Sequence, residues 1–389
     1  MVTLMIATKS IKSSIVYIQT KLLFLLYNIL YNKISKYFDY FLPQYKIKKM
    51  SSENRYDRFI GVLVCGAVGS ALGFINKGKS FDAIKKENTF TCTYFHYIHG
   101  SNIELMIVLG RYLLSINKHT TTENSNILPI ELKQNTRKET INCVHVLYKN
   151  VVKNSKKIYN RKTAEILKNW EPSSPIGAQD NCDAVIRITP LALTPLKTDK
   201  LLYDEIVNLV YCTHGGHKDS VDVAFVHVKL LHSLLLGKRK TAEEIYPYVL
   251  YLARKCKNKQ FYINLLALHP NNKQIFVSNK WNINKSLYGF DFFHQTSIEC
   301  YVCALTCFLY NFNNPVKAIS VAMKVGGDTE SITKLTGDMV GAVHGFRWLP
   351  LEWTEFENKE LLSMIASGLY CCFPKDKHEW IFEHSTNIP

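Results

Sequence analysis

The sequence predicts an all-α protein, one compact multi-helix domain over about residues 51–389. Two observations predict it. Apolar residues recur at helical spacing in several separate segments, and the alternation that marks half-buried strands is scarce. Hydrophobic residues make up 47% of the 389 positions, ample for a core and far from the composition of a disordered chain.

The elements follow in order. Ile60 to Gly73 is apolar, with Gly66, Gly69 and Gly73 at helical spacing. Glycine costs a helix about 1 kcal/mol relative to alanine, so such a row marks close helix packing or backbone approach to a ligand. Leu105 to Ile116 is an amphipathic helix, and the polar, Thr/Asn-rich stretch from Asn117 to Arg137 is expected to be a surface loop. Asp219 to Leu236, Thr241 to Lys257 and Ile298 to Tyr310 carry the helical period. Pro315 opens another helix, running to about Val325. After the Gly326-Gly327 turn, the last of these helices spans Glu330 to His344. No internal period suggests repeats.

Residues 1–50 form a distinct basic extension, with Lys9, Lys12, Lys21, Lys33, Lys36, Lys46, Lys48 and Lys49 against a single acid, Asp39. The longest apolar run there, Leu22 to Tyr27, is too short to cross a bilayer. Three readings stay open. It is a basic amphipathic segment directed to mitochondria or a membrane surface. It is a signal-like segment, although no small-residue cleavage site follows. Or it is a translated upstream region, with Met50 as the functional start before Ser51-Ser-Glu-Asn-Arg55.

The formal net charge of +16 favours polyanionic partners, among them nucleic acid, poly(ADP-ribose) and anionic membranes. It is equally what a Lys-, Asn-, Ile- and Tyr-rich composition gives. No motif of a known RNA-binding module accompanies it. The 11 cysteines are odd in number and irregularly spaced. That argues against a disulfide framework and for an intracellular, reducing compartment: cytoplasm, nucleus or mitochondrion. Cys300, Cys303 and Cys307 share one helical face but lack a second ligand pair, so core thiols are expected rather than a zinc site.

The chemistry is concentrated in Gly326-Gly-Asp-Thr-Glu-Ser-Ile332, where two carboxylates and hydroxyls crowd a turn that opens a helix. Hard cations such as Mg²⁺ need an oxygen cluster of this kind. Helix capping by Asp328 is the alternative use of the same groups. Four further blocks stand in order with it: Arg58 to Gly73, Ala184 to Leu193, Thr213-His214, and the tail Leu349-Pro-Leu-Glu-Trp353. Gly337, Gly341 and Gly345 continue the closing block. Together, over residues 56–370, they resemble the ADP-ribosylglycohydrolase family. The nearest branch is the one that removes ADP-ribose from serine and cleaves poly(ADP-ribose).

That resemblance implies an all-α hydrolase, and a monomer is expected. It further implies two Mg²⁺ ions held between a Thr-Asp-Asp-Thr run and a Gly-Asp-x-Asp-Thr turn, where they would polarise the ribose and position a water. In this chain the second motif is softened: Asp328 is kept, Glu330 replaces the second Asp, and Ser331 replaces the Thr. The first motif aligns with Gly100, Ser101, Asn102 and Ile103, which offer no carboxylate. Ser70 stands for the Asp after the glycine of the opening block. Asn76 or Lys77 stands for the acid that this branch uses near the scissile bond. The glycine-rich loop that cradles the ribose and phosphates reads Asp180-Asn181-Cys182-Asp183.

The expectation is therefore a family member whose hydrolase site has decayed. Asp328, Glu330 and Ser331 would hold one weakly bound Mg²⁺ at most. Asn181, Cys182, Asp183, Arg187 and His214 would line what remains of the substrate cleft. Arg187 has a second reading, pairing with a nearby acid, and His214 a second reading as a core histidine. Two functional alternatives are carried. One is a divergent Mg²⁺-dependent hydrolase acting on ADP-ribosylated protein or poly(ADP-ribose), with Ser101 and Asn102 as neutral ligands. The other is a basic poly(ADP-ribose) or nucleic-acid binding module with steep salt dependence. Glu87, Asp82 and Asp291 are conceivable replacement acids. His96, His99, Glu104 and Asn102 are a conceivable replacement metal set, though histidine suits Zn²⁺ better than Mg²⁺.

Overall fold

The structure is a computed structural model that describes residues 55–87, 99–121, 136–169, 179–195, 198–266, 268 and 296–373. These lie within one compact unit, Ser52–Pro389. They form helices α1 (Arg55–Phe74), α2 (Phe81–Glu87), α3 (Ser101–Thr121), α4 (Thr136–Asn154), α5 (Arg161–Asn169), α6 (Asp183–Ile188) and α7 (Asp199–His214). There follow α8 (Lys218–Leu235), α9 (Ala242–Lys255), α10 (Lys259–Leu266), α11 (Ser297–Tyr310), α12 (Pro315–Ala322), α13 (Thr329–His344) and α14 (Lys359–Cys371). Short 3₁₀ turns at Thr189–Leu193 and Leu351–Trp353 complete the set. No extended strand occurs among the described residues, so the all-α expectation is met.

The centre of the fold is the antiparallel pair α1 and α13. The glycines explain why these two helices meet backbone to backbone. A Cβ on Gly73 would lie 2.3 Å from the Thr329 carbonyl, and one on Gly69 would lie 2.3 Å from that of Thr333. Further along, a Cβ on Gly337 would lie 2.3 Å from the Cys65 carbonyl, and one on Gly341 2.0 Å from that of Gly61. The glycine row thus reflects helix packing along its length. α1 is long and apolar enough to cross a membrane, but it is almost wholly buried inside the fold. It is a core helix of this domain.

α11 and α12 flank α13, α14 packs on α1 and α3, and α8 packs against α6 and α13. α11 begins with a reciprocal capping box between Thr296 and Glu299. α12 takes Pro315 in its first turn and ends at Ala322, because the chain must turn through Gly326 and Gly327, both at positive φ. Cys300, Cys303 and Cys307 are buried and free, as core thiols.

One prediction is corrected at both ends. Asn117–Thr121 belongs to α3 and Thr136–Arg137 to α4, so the polar stretch was read too long. Residues 122–135 between them, like His96 and Asp291, lie outside the described residues.

Candidate functional site

The antiparallel pair sets the site's position: the C-terminal end of α1 meets the N-terminal end of α13. The starts of α3 and α6 close over the same region. Asp328 is the N-cap of α13. Its Oδ1 accepts from the Ser331 amide at 3.3 Å, and its Oδ2 accepts from Ser331 Oγ at 2.5 Å. Capping thus uses both oxygens of Asp328 and the Ser331 hydroxyl.

Glu330 is only 3% exposed, and both its oxygens are engaged. Oε1 accepts from Ser70 Oγ at 3.2 Å and Oε2 from Lys77 Nζ at 2.7 Å. Lys77 Nζ also lies 3.8 Å from Asp328 Oδ1. Burial raises the pKa of both carboxyls, and Lys77 works against that rise. Burial likewise disfavours the charge on Lys77, but Asp328 and Glu330 outweigh it and hold the ammonium above its ordinary pKa.

Ser70 ties three elements together. While donating to Glu330 it accepts from the Gly100 amide at 3.1 Å, just before α3. On α3, Asn102 is buried and donates from Nδ2 to Asp183 Oδ1 at 2.6 Å. Asp183 is near enough to Asp328, Glu330 and Lys77 to act on the charge of each. It is therefore a carboxylate of the acidic cleft, supplied by the loop expected to face the substrate. Ser101 opens α3, whose first turn carries one acid, Glu104.

The remaining loop residues diverge. Cys182 is fully buried, its thiol paired with that of Cys300, so it faces the core rather than a ligand. Asn181 Oδ1 accepts from the Asp183 amide at 2.9 Å and meets His214 Nε2 at 2.8 Å. On the far side of that ring, Nδ1 lies 2.9 Å from Thr213 Oγ1 and 3.2 Å from Arg187 Nη2. Burial, and then Arg187, hold the His214 pKa well below the ordinary histidine value, so the ring is neutral. With Asn181 accepting at Nε2–H, Nδ1 is the acceptor for Arg187.

This corrects one reading of Arg187. Its hydrogen bonds go to Thr213, at 3.0 Å, and to His214, rather than to an acid, and Nη1 is left buried without an acceptor. Burial lowers the pKa of this guanidinium, and the charge of nearby Asp183 works against that fall.

Of the conceivable replacement set, His96 lies outside the described residues, and the described members His99, Glu104 and Asn102 are each engaged by other partners. His99 Nδ1 faces the Gly100 carbonyl and Lys157, and its Nε2 faces Asn358. Glu104 accepts from Ser155 and Tyr159. Asp82 is exposed on α2, and the Glu87 side chain lies outside the described residues. Among the described residues, one trio brings ligand atoms within 4.8 Å of one another: Asp180, His217 and Asp219. Asp180 already accepts from Ser297 and Asp219 from Asn258. Asp183, Asp328 and Glu330 do not form such a trio.

Sequence reasoning places Asp183 in the substrate cleft but does not foresee three things here: its approach to Asp328 and Glu330, Lys77 reaching Glu330, and the Asp180–His217–Asp219 trio. The signal for the second was present in the replacement of an expected acid by a lysine. The other two depend on contacts between distant segments.

Against known proteins, the family profile described as ADP-ribosylglycohydrolase matches residues 51–376. Among solved structures, one titled "ADP-ribosylglycohydrolase-related protein complex" is similar at a TM-score of 0.55 with 17% identity. The match covers 82% of this chain and 98% of that one. At that identity the likeness concerns the fold. No curated protein matches the sequence.

Proposed function

The chain belongs to the ADP-ribosylglycohydrolase family, and from that premise we propose that it is a catalytically impaired member. It keeps the fold and part of the acidic cleft, and serves as a scaffold or sensor with residual affinity for ADP-ribose or poly(ADP-ribose). One observation carries this reading. At the start of α3, where the resemblance calls for paired aspartates, Asn102 presents an amide, and that amide is bound to Asp183.

The fit to a metal pair is poor on donor chemistry. Two cations about 4 Å apart need carboxylates on both walls to offset their repulsion. The opening residues of α3, Ser101 to Ile103, supply none, and Glu104 is held by Ser155 and Tyr159. On the α13 wall, the oxygens of Asp328 and Glu330 are taken by Ser331, Ser70 and Lys77. Mg²⁺ also demands near-octahedral oxygen geometry and gives up water reluctantly. Loss of a general acid or base alone costs about 10²–10⁴-fold in rate.

A second reading is a divergent Mg²⁺-dependent hydrolase using Asp328, Glu330 and Ser331, with Ser101 and Asn102 as neutral ligands. The specific observation in its favour is Asp183, which adds a third carboxylate to the cleft. Release of ADP-ribose from serine-ADP-ribosylated peptide and from poly(ADP-ribose), with and without Mg²⁺, separates the two. The impaired-member reading expects no turnover from folded protein. Mg²⁺-dependent turnover that Asp328→Ala abolishes would overturn it.

A further inference from the structure

We propose that the ammonium of Lys77 is the resident cation of the acidic cleft, standing in place of a divalent metal and excluding it. The inference rests on the reading of this cleft as an altered metal site and says what took the metal's place.

The first support is geometric. Lys77 Nζ is 2.7 Å from Glu330 Oε2 and 3.8 Å from Asp328 Oδ1, so it sits against both acids of the retained motif. It also feels Asp183. Three carboxylates converge on this region: Glu330 is buried and Asp328 partly buried, and desolvation raises the pKa of both. Buried carboxylates need a counter-charge with good hydrogen-bond geometry. Lys77 supplies one, and it remains charged in this setting.

The second support is that the lysine is held in place by the backbone. The turn after α1 is fastened to the turn before α13. Gly78 N donates to the Gly327 carbonyl at 2.8 Å, and Gly327 N donates to the Lys79 carbonyl at 2.9 Å. On the preceding residue, Asn76 Nδ2 donates to the Met323 carbonyl at 3.0 Å. Residue 77 is thus clamped beside the acids whatever its side chain. A cation delivered this way is intramolecular, and a dissolved metal must compete with it at the tether's effective concentration. A divalent ion cannot share the site cheaply, because an ammonium and a metal a few ångströms apart repel each other. The Lys77 side chain is 42% exposed, so it can be replaced without opening the core.

The experiment uses the full chain and Mn²⁺ as the probe, with free Mn²⁺ read by electron paramagnetic resonance. Wild type, Lys77→Gln, Lys77→Arg and Lys77→Gln/Glu330→Gln are titrated after circular dichroism shows each to be folded. Wild type and Lys77→Arg are expected to show no saturable binding below about 1 mM, and Lys77→Gln to bind at least ~10-fold more tightly. The added Glu330→Gln should remove the gain. Saturable wild-type binding below 1 mM that Asp328→Ala abolishes would overturn the proposal, a result that needs no Lys77 variant. A folded Lys77→Gln with no gain would overturn it too. If Lys77→Gln does not fold, Lys77→Met takes its place under the same criterion. Wild-type Mn²⁺ binding without turnover would sink the Lys77 assignment alone. Turnover without bound metal would sink the impaired-member reading alone.

Discussion

The carboxylate of Glu330 fills the space that a side chain on residue 100 would need: a Cβ built on Gly100 would lie 1.6 Å from Glu330 Oε1. The long acid on α13 and the bare backbone before α3 therefore depend on each other for space. Gly100→Thr is expected to destabilise the protein by about 1–3 kcal/mol through overpacking. In a Glu330→Asp background the same change should cost less. A double-mutant cycle by urea unfolding measures the coupling, and additive costs would show the positions to be independent.

The contact between α1 and α13 leaves no room at Gly341, where a Cβ would sit 2.0 Å from the Gly61 carbonyl with backbone on both sides. Gly341→Ala is expected to cost about 3 kcal/mol, the upper end for forced overpacking. Gly78→Ala is the control. Gly78 has φ +81° but nothing within 4 Å of a built Cβ, so only backbone strain of about 1 kcal/mol is expected. Comparable thermal shifts for the two variants would contradict the packing argument.

Lys334 is fully buried on α13 and donates to the Ile186 carbonyl at 2.9 Å, to Thr189, and to Asp338 Oδ2 at 2.6 Å. Asp338 Oδ2 also meets His227 Nε2 at 3.0 Å and accepts from Thr189 Oγ1 at 2.9 Å. Lys334→Met strands the buried Asp338 charge and should cost about 3–5 kcal/mol. Lys334→Met with Asp338→Ala removes both charges, and the small side chain respects the close approach of Gly66. The double variant is expected to be more stable than Lys334→Met alone, as urea melts would show.

Acidification should weaken the fold from about pH 6.5 downward. Burial, and then Arg187, depress the pKa of His214, and burial lowers that of His145 to about 4. An unfolded histidine titrates near 6.5, so below that pH the unfolded chain takes up protons that the native chain refuses. Stability is then lost as pH falls, and the His145 share is complete near pH 4. Asp328 and Glu330 act in the opposite sense: their pKa values are raised by burial, so within the carboxylate range the native state gains protons first. Thermal unfolding between pH 7 and 5 should show a falling Tm, with a shallower fall in His145→Gln. Parallel curves for the two proteins would remove His145 from the account.

Much of the fold was legible because its central helices are strongly periodic. Asp219 to Leu236 differs from α8 by one residue at each end, and Ile298 to Tyr310 from α11 by one residue at its start. The sequence reading names no helix at α2, α4, α5, α6, α7, α10 or α14. Several of them are short, as α2, α6 and α10 are, and α5 buries only Thr163 and Leu167, while α7 gains its definition from packing on α8 and α4. In the site, Asp328 was legible as a cap because capping is local, reaching only three residues to Ser331. The pairing of Asn102 with Asp183 spans 81 positions and that of Lys77 with Glu330 spans 253. No local pattern encodes contacts of that reach. For Arg187 the sequence leaves an acid partner open; the fold gives its hydrogen bonds to Thr213 and His214, while Asp183 acts on it only through its charge.

The buried thiols of α11 give the molecule a built-in gauge of its own opening. A hydrogen bond with Cys182 and burial raise the Cys300 thiol, and a hydrogen bond with Cys307 and burial raise that of Cys303. Neither forms the reactive thiolate while the helix stays packed. Exposed Cys143 and Cys371 offer an alkylating reagent immediate targets. Slower labelling at Cys300 and Cys303 therefore clocks excursions in which α11 leaves the core, and peptide mapping would time them without any added probe.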